Sequence, residues 1–338
     1  MSARTFALEG RIRLLHLITA AVALAAGACT QSAQPSNDTV FVSNEASNQV
    51  TVLDGATGKV NGQLATGPRP RGMAFSPDGR TLYVAASNAN RIEAWDVHSL
   101  KRVATYASGS DPERFDVSAD GKTLYIANED KSAVSFLDMP TGRIRREIAV
   151  GPEPEGIGVS PDGKLLIATS EVANLAHFID TATGKVLGNV PVGSRPRFVL
   201  FLDGGRSAWV SSEQRGTITV FDTAMRRVTH TIDLTQSFDI EEPVQAVEMR
   251  ATRDGKRVFV AMGRSNRVAE IDPATYKVVR WFPTGFRTWG IGLSPDESRL
   301  YAAAGLAGNL TIIDIRHNKV ERTISLGGRP WGALAARK

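Results

Sequence analysis

Short apolar runs punctuate the chain at a regular interval and end in aspartate. Leu82-Tyr83-Val84-Ala85 and Leu124-Tyr125-Ile126-Ala127 are apolar without alternation, the pattern of strands covered on both faces. The aspartates that close such runs are Asp54, Asp96, Asp138, Asp180, Asp222, Asp272 and Asp314. Their spacing is 42 residues, with a single interval of 50. Two further markers keep the same register. Turn sequences place Asp78, Asp120, Asp162, Asp203, Asp254 and Asp296 in SPDG-like contexts. A Gly and Pro corner recurs at Gly67, Gly109, Gly151, Gly193 and Gly327.

Each unit reads as four strands, in the second copy Gly72–Ser76, Thr81–Ala86, Arg91–Asp96 and Arg102–Tyr106, separated by turn chemistry. Stacked radially, such units predict an all-β, seven-bladed β-propeller of four-stranded blades. Val40-Phe41-Val42 matches the second strand of the unit, and Pro330-Trp331-Gly332-Ala333-Leu334 matches the first. The C-terminal strand is therefore expected to join the N-terminal blade and remove the open edge. The domain reading is a signal segment over 1–28, a flexible tether over 29–39 and a propeller over 40–338.

The signal rests on Arg4, Arg11 and Arg13 ahead of an apolar run, Leu14 to Ala26, too short for a permanent span. Ala26-Gly27-Ala28-Cys29 resembles the bacterial lipobox, with Ala26 where that motif most often has Leu. Cys29 is thus the expected lipid attachment point, and the expected place is the periplasm, tethered to the outer membrane. Ordinary cleavage would instead leave a soluble periplasmic protein.

Composition narrows the chemistry. The chain has 338 residues, 42% hydrophobic and 22% charged, with a formal charge of +5. Interspersed signs give no case for nucleic acid. A single cysteine excludes a disulfide framework and a thiolate zinc site. No histidine cluster forms; His177 lies in an apolar strand and reads as a satisfied buried imidazole. No metal and no cofactor is expected, and the chain is expected to be monomeric.

A residue repeated in every blade is structural, so the aspartate series reads as turn caps. Function should lie where the copies differ. Around the channel mouth the residues before the corner proline position are Arg69, Asp111, Glu153, Arg195, Glu242, Arg287 and Arg329. Those one beyond it are Arg71, Glu113, Glu155, Arg197, Val244, Trp289 and Trp331. The loops beside them add Glu45, Glu129, Glu171 and Glu213. The candidate ligand-binding set is Arg69, Arg71, Glu153, Glu155, Arg195, Arg197, Trp289, Arg329 and Trp331. Arginine suits carboxylates and tryptophan supplies a stacking face. Alternatively, the opposite charges pair across blade seams and lock the ring. The longer interval puts eight extra residues within Asp233–Pro243, on the same face.

Val40-Phe41-Val42-Ser43-Asn44, Leu124-Tyr125-Ile126-Ala127-Asn128 and the SPDG turns resemble the YVTN-type β-propeller repeats. The order of variants (VFVSNE, RPRG, LYIANED, EPEG, AHFID, RPRF, WVSSE, RPWG) is similar to a subgroup associated with pyrroloquinoline quinone (PQQ)-dependent catabolism. That resemblance implies an exported protein encoded beside quinoprotein alcohol oxidation, without an established activity. The expected function is therefore a non-catalytic binding or scaffold protein. Its mouth would take a small anionic ligand or a protein partner of the quinoprotein pathway. A lactonase-like hydrolase is the alternative, because seven-bladed relatives of this architecture include sugar lactonases.

Overall fold

The computed structural model describes residues 38–237 and 243–337. The expected signal segment, Cys29 and the tether up to residue 37 lie outside the described residues, as do residues 238–242 of the longer interval. No helix among the described residues is long and apolar enough to cross a membrane.

Seven antiparallel four-stranded sheets make up the described chain. Blade 1 pairs Pro330–Arg337 with Asp38–Asn44, Gln49–Asp54 and Val60–Ala65, so the ring closes as the sequence predicts. The tether expected through residue 39 ends earlier: Asp38 and Thr39 already pair with Arg337 and Ala336. The innermost strands of blades 2 to 7 are Pro70–Phe75, Pro112–Val117, Pro154–Val159, Pro196–Leu202, Met249–Ala251 and Thr288–Leu293. Each contacts the next, and the last contacts Pro330–Arg337, completing a circle around a channel.

Burial explains the apolar pattern. The second strand of blade 3, Thr123–Asn128, is buried throughout, because neighbouring blades cover both of its faces. The outermost strand of blade 2, Arg102–Ala107, alternates exposed and half-buried residues. Aromatic pairs such as Phe178 with Phe221, 5.3 Å apart and edge-on, cement the seam between blades 4 and 5. Innermost strands begin about two residues before the predicted start. Pro70 already pairs with Ala86, and an irregularity before Met73 accommodates the corner.

The aspartate series caps turns. Asp54 accepts the Thr57 backbone N–H and hydroxyl, both at 2.7 Å, and Asp138 and Asp180 hold Thr141 and Thr183 in the same way. These bonds hold the carboxyls of Asp138 and Asp180 below the ordinary range. His177 is a satisfied core residue: its ring lies 2.8 Å from both Ser170 Oγ and Asn189 Oδ1. Burial lowers its pKa.

Blade 6 departs from the register that its proline predicts. Met249 pairs with Val260 as Met73 pairs with Val84, which places its corner at Gln245–Val247 rather than at Glu242 and Val244. The extra residues precede the corner, so matching the blades by proline slips by three positions.

Candidate functional site

The corner that opens each innermost strand has a fixed backbone and variable side chains. Arg69, Asp111, Glu153, Arg195 and Arg287 all take the left-handed conformation, with φ of 57°, 50°, 52°, 59° and 61°. A side chain there costs more than glycine would, so the conformation needs support. An asparagine of the preceding blade provides it. Asn48, Asn90, Asn174 and Asn266 accept the backbone N–H of Arg69, Asp111, Arg195 and Arg287 at 2.9 to 3.1 Å.

Two ionic knots rise from these corners. In the first, Arg71 of blade 2 binds Glu45 of blade 1 at 2.5 Å and Glu113 of blade 3, joining three blades. Arg69 holds both oxygens of Asp111 at 2.9 Å and reaches Glu113 at 3.1 Å. In the second, Arg197 contacts Glu155 and Glu171 of blade 4 and binds Glu213 at 2.6 Å. Arg195 binds Glu171 at 2.6 Å. The side chains of Arg197, Glu155, Glu171 and Glu213 are each at most 4% exposed. For Arg69, Arg71, Glu155, Arg195 and Arg197, pairing across seams is therefore what the geometry provides.

Burial unbalances the carboxyls. Glu129 is pushed up to about 8, first by burial, then by its hydrogen bond to Glu113 and the charges of Glu113 and Asp111. Burial also pushes Glu113 upward, but Arg71, the Glu129 hydrogen bond and Arg69 outweigh it, and it lies below the ordinary range. Glu113 and Glu129 thus share a proton, which sits on Glu129. Asp111, Glu113 and Glu129 lie close enough together to suggest metal ligation. Arg69, Arg71 and the shared proton already neutralise that group. Glu171 is raised to about 7, by burial and by Glu213 and Glu153, against the pull of Arg195. It lines an open recess of about 400 Å³ with Glu153, Asn174, Ser194, Arg195 and Gln214.

The opposite side of the mouth is different. Arg287, Trp289, Arg329 and Trp331 line a recess of about 200 Å³ together with Glu45, Arg71, Gly305, Leu306 and Pro330. Arg287 lies 4.8 Å over Trp289, and Arg197 covers the same ring at 5.0 Å. Both indole Nε1 donors are buried without an acceptor among the described residues. Arg287 and Arg329 form no ion pair among the described residues. The two recesses share one field: Glu213, Arg195 and Glu45 all act on Arg287, whose pKa burial lowers.

Sequence reasoning passed over the channel itself. Four blades carry glycine just after the corner (Gly72, Gly156, Gly290, Gly332); a Cβ would collide at the first three, lying at Gly72 2.6 Å from the Glu113 carbonyl oxygen, and would be tight at Gly332. The other three blades carry Arg114, Phe198 and Glu248. These side chains converge: Arg114 reaches Glu248 across the ring at 3.3 Å and lies 5.0 Å over Phe198 and 4.4 Å over Trp331. The replaced glycines were the available signal.

A lactonase seven-bladed β-propeller family model matches residues 4–150 and 59–189, and a YNCE-like β-propeller model matches 219–337. Curated proteins give no match. Among solved structures, Kuenenia stuttgartiensis hydrazine synthase is 25% identical with a TM-score of 0.74, covering 83% of this chain and 93% of that one. The periplasmic gluconolactonase of Pseudomonas aeruginosa is 23% identical (TM-score 0.75; 89% and 99% covered). A putative 6-phosphogluconolactonase of Bacteroides fragilis is 18% identical (TM-score 0.73; 89% and 98%). At these last two identities the likeness carries the fold alone.

The family match overturns the expectation of a non-catalytic binding or scaffold protein of PQQ-dependent catabolism. Nothing in these findings links the chain to a quinoprotein. Several of the motifs behind that expectation, VFVSNE, LYIANED and WVSSE, fall on second strands that recur from blade to blade and mark the propeller rather than a pathway. With matched segments that together span more than half of the sequence, the chain belongs to the lactonase family of seven-bladed β-propellers.

Proposed function

We propose that the protein is a lactonase-like hydrolase acting at the corner-lined mouth. The observation that carries this reading is Glu171, a carboxyl held near neutrality beside two arginines and nearly buried in the wall of a recess that is itself open to solvent. A general base works best when its pKa lies near the working pH. In the reaction, a water in that recess gives its proton to Glu171 as its oxygen bonds to the lactone carbonyl carbon. The ring C–O bond then breaks, and the proton passes to the departing ring oxygen. Arg195 and Arg197 hold the Glu171 carboxylate in place. Arg195, which lines the same recess and is 40% exposed, meets the negative charge that develops on the carbonyl oxygen, and Arg287 across the mouth helps to hold the substrate. Arg329, Trp289 and Trp331 hold the body of the substrate.

The names of the gluconolactonase and 6-phosphogluconolactonase neighbours support aldonolactones as the first substrates to try. Export belongs to the same proposal, with residues 1–28 as signal and Cys29 lipidated, placing the reaction in the periplasm. The test is proton release from glucono-1,5-lactone and its 6-phosphate by the purified chain. Turnover should rise with pH through about 7, as Glu171 loses its proton, and then level off. Rates no faster than spontaneous hydrolysis for every lactone tried would overturn the proposal.

A further inference from the structure

Beyond the Arg114–Glu248 bridge, toward the turn-lined end of the ring, the innermost strands enclose a second cavity. Its volume is about 460 Å³, inside the ~300–1,000 Å³ range of small-molecule sites. Five blades contribute apolar side chains to its wall, Met73, Phe75, Phe115, Ile157, Phe198 and Leu334, beside polar atoms that make up the larger part of the lining. Arg114 and Arg250 supply positive charge, and Arg250 lies 5.1 Å over the Phe198 ring.

The ion pairing there is uneven. One carboxylate, Glu248, serves both guanidiniums. Arg114 is buried, and its Nε donor has no acceptor among the described residues. The other acid in the lining, Asp116, spends its two oxygens on the backbone N–H groups of Val117 and Val159, both at 2.8 Å. It forms no ion pair among the described residues; burial pushes its carboxyl upward, against its two backbone hydrogen bonds and the more distant charge of Arg250. Donor capacity therefore exceeds acceptor capacity in a space whose wall also carries aromatic and aliphatic side chains. A buried donor without a partner is costly, so a ligand that supplies an anionic acceptor gains from it.

We propose that this lower cavity binds an organic carboxylate with an apolar body. The carboxylate would sit on Arg250 and Arg114, and the body among Phe75, Phe115 and Phe198. The site is separate from the mouth and does not rest on the lactonase reading.

The test is calorimetric titration of the purified chain with 3-phenylpropionate, set against 3-phenylpropanol, which lacks the charge, and acetate, which lacks the body. Phenylpropionate should bind about tenfold or more tightly than either control, the scale of a charge-assisted hydrogen bond. Arg250→Gln should remove that advantage, and Met73→Trp should remove binding by filling the space without altering a charge. Arg329→Ala, at the far mouth, should leave binding unchanged. A melting curve for each variant establishes folding, and Met73→Trp keeps the test decisive should Arg250→Gln fail to fold. Equal binding of acid and alcohol, or no binding at all, would overturn the proposal. So would a loss in Arg329→Ala with none in Arg250→Gln or Met73→Trp, which would place the acid in the mouth.

Discussion

The two ends of the ring use the same repeat in opposite ways. At the turn end, the aspartates that end the third strands do one job in every blade, taking backbone N–H groups of the next turn, as Asp54, Asp96, Asp138 and Asp180 show. At the mouth only the backbone repeats: a left-handed corner pinned by a neighbour's asparagine, with arginine, aspartate or glutamate on top. A scaffold that fixes its corners through main-chain bonds leaves the side chains free to diverge. Side-chain variety therefore accumulates at the mouth, while the turns at the other end repeat one capping job.

The comparison breaks most visibly at Arg197. Replacing it with alanine strips the cation from Glu155, Glu171 and Glu213 in a buried setting. Loss of one partner from such a group costs about 3–5 kcal/mol, so urea unfolding should show a large drop in midpoint. Retention of the wild-type midpoint would show that the mouth is held by something other than its knots.

Glu171→Gln sharpens the same contrast on the activity side. Removal of a general base lowers turnover by roughly 10²–10⁴-fold. The pH rise through about 7 should vanish with it while the fold persists. Lactone turnover at several pH values reads both effects.

Glu129→Gln tests the shared proton. Glu129 titrates at about 8 in the fold but near the ordinary carboxyl value when unfolded, so the folded form binds the extra proton between those values. Stability from this group is therefore full below about pH 4.3 and lost as pH rises toward 8. Glutamine keeps the donor without the proton. The variant should match the wild type at pH 5 and exceed it at pH 9 in chemical denaturation.

The smallest effect belongs to a single turn. Asp138→Asn should lower the melting temperature slightly at neutral pH. Because the native carboxyl lies below its unfolded value, the difference should fade as pH falls below about 4. A loss as large as that of Arg197→Ala would mean the turns are not interchangeable.

Much of this architecture is legible in the residue pattern alone. The interval of 42 residues fixes seven copies, and the mismatch between Val40-Phe41-Val42 and a first strand reveals the closure. The mouth arginines and tryptophans can be named from the corners. What they do cannot. Arg71 and Arg329 occupy neighbouring corner positions, yet Arg71 is held between Glu45 and Glu113 while Arg329 pairs with no acid among the described residues. Glu171 looks like any loop glutamate until burial raises it to about 7.

A repeat is a statement about local geometry, and turn preferences together with two-sided burial act over a few residues, so the sequence by itself settles the blades and their closure. Distances between blades depend on how a ring of innermost strands converges, which no short stretch encodes. Arg114 and Glu248 meet across the channel although 134 residues separate them. That meeting, the shared proton of Glu113 and Glu129, and the gathering of Arg287 and Arg329 with two tryptophans in one recess exist only because the closed ring brings them together.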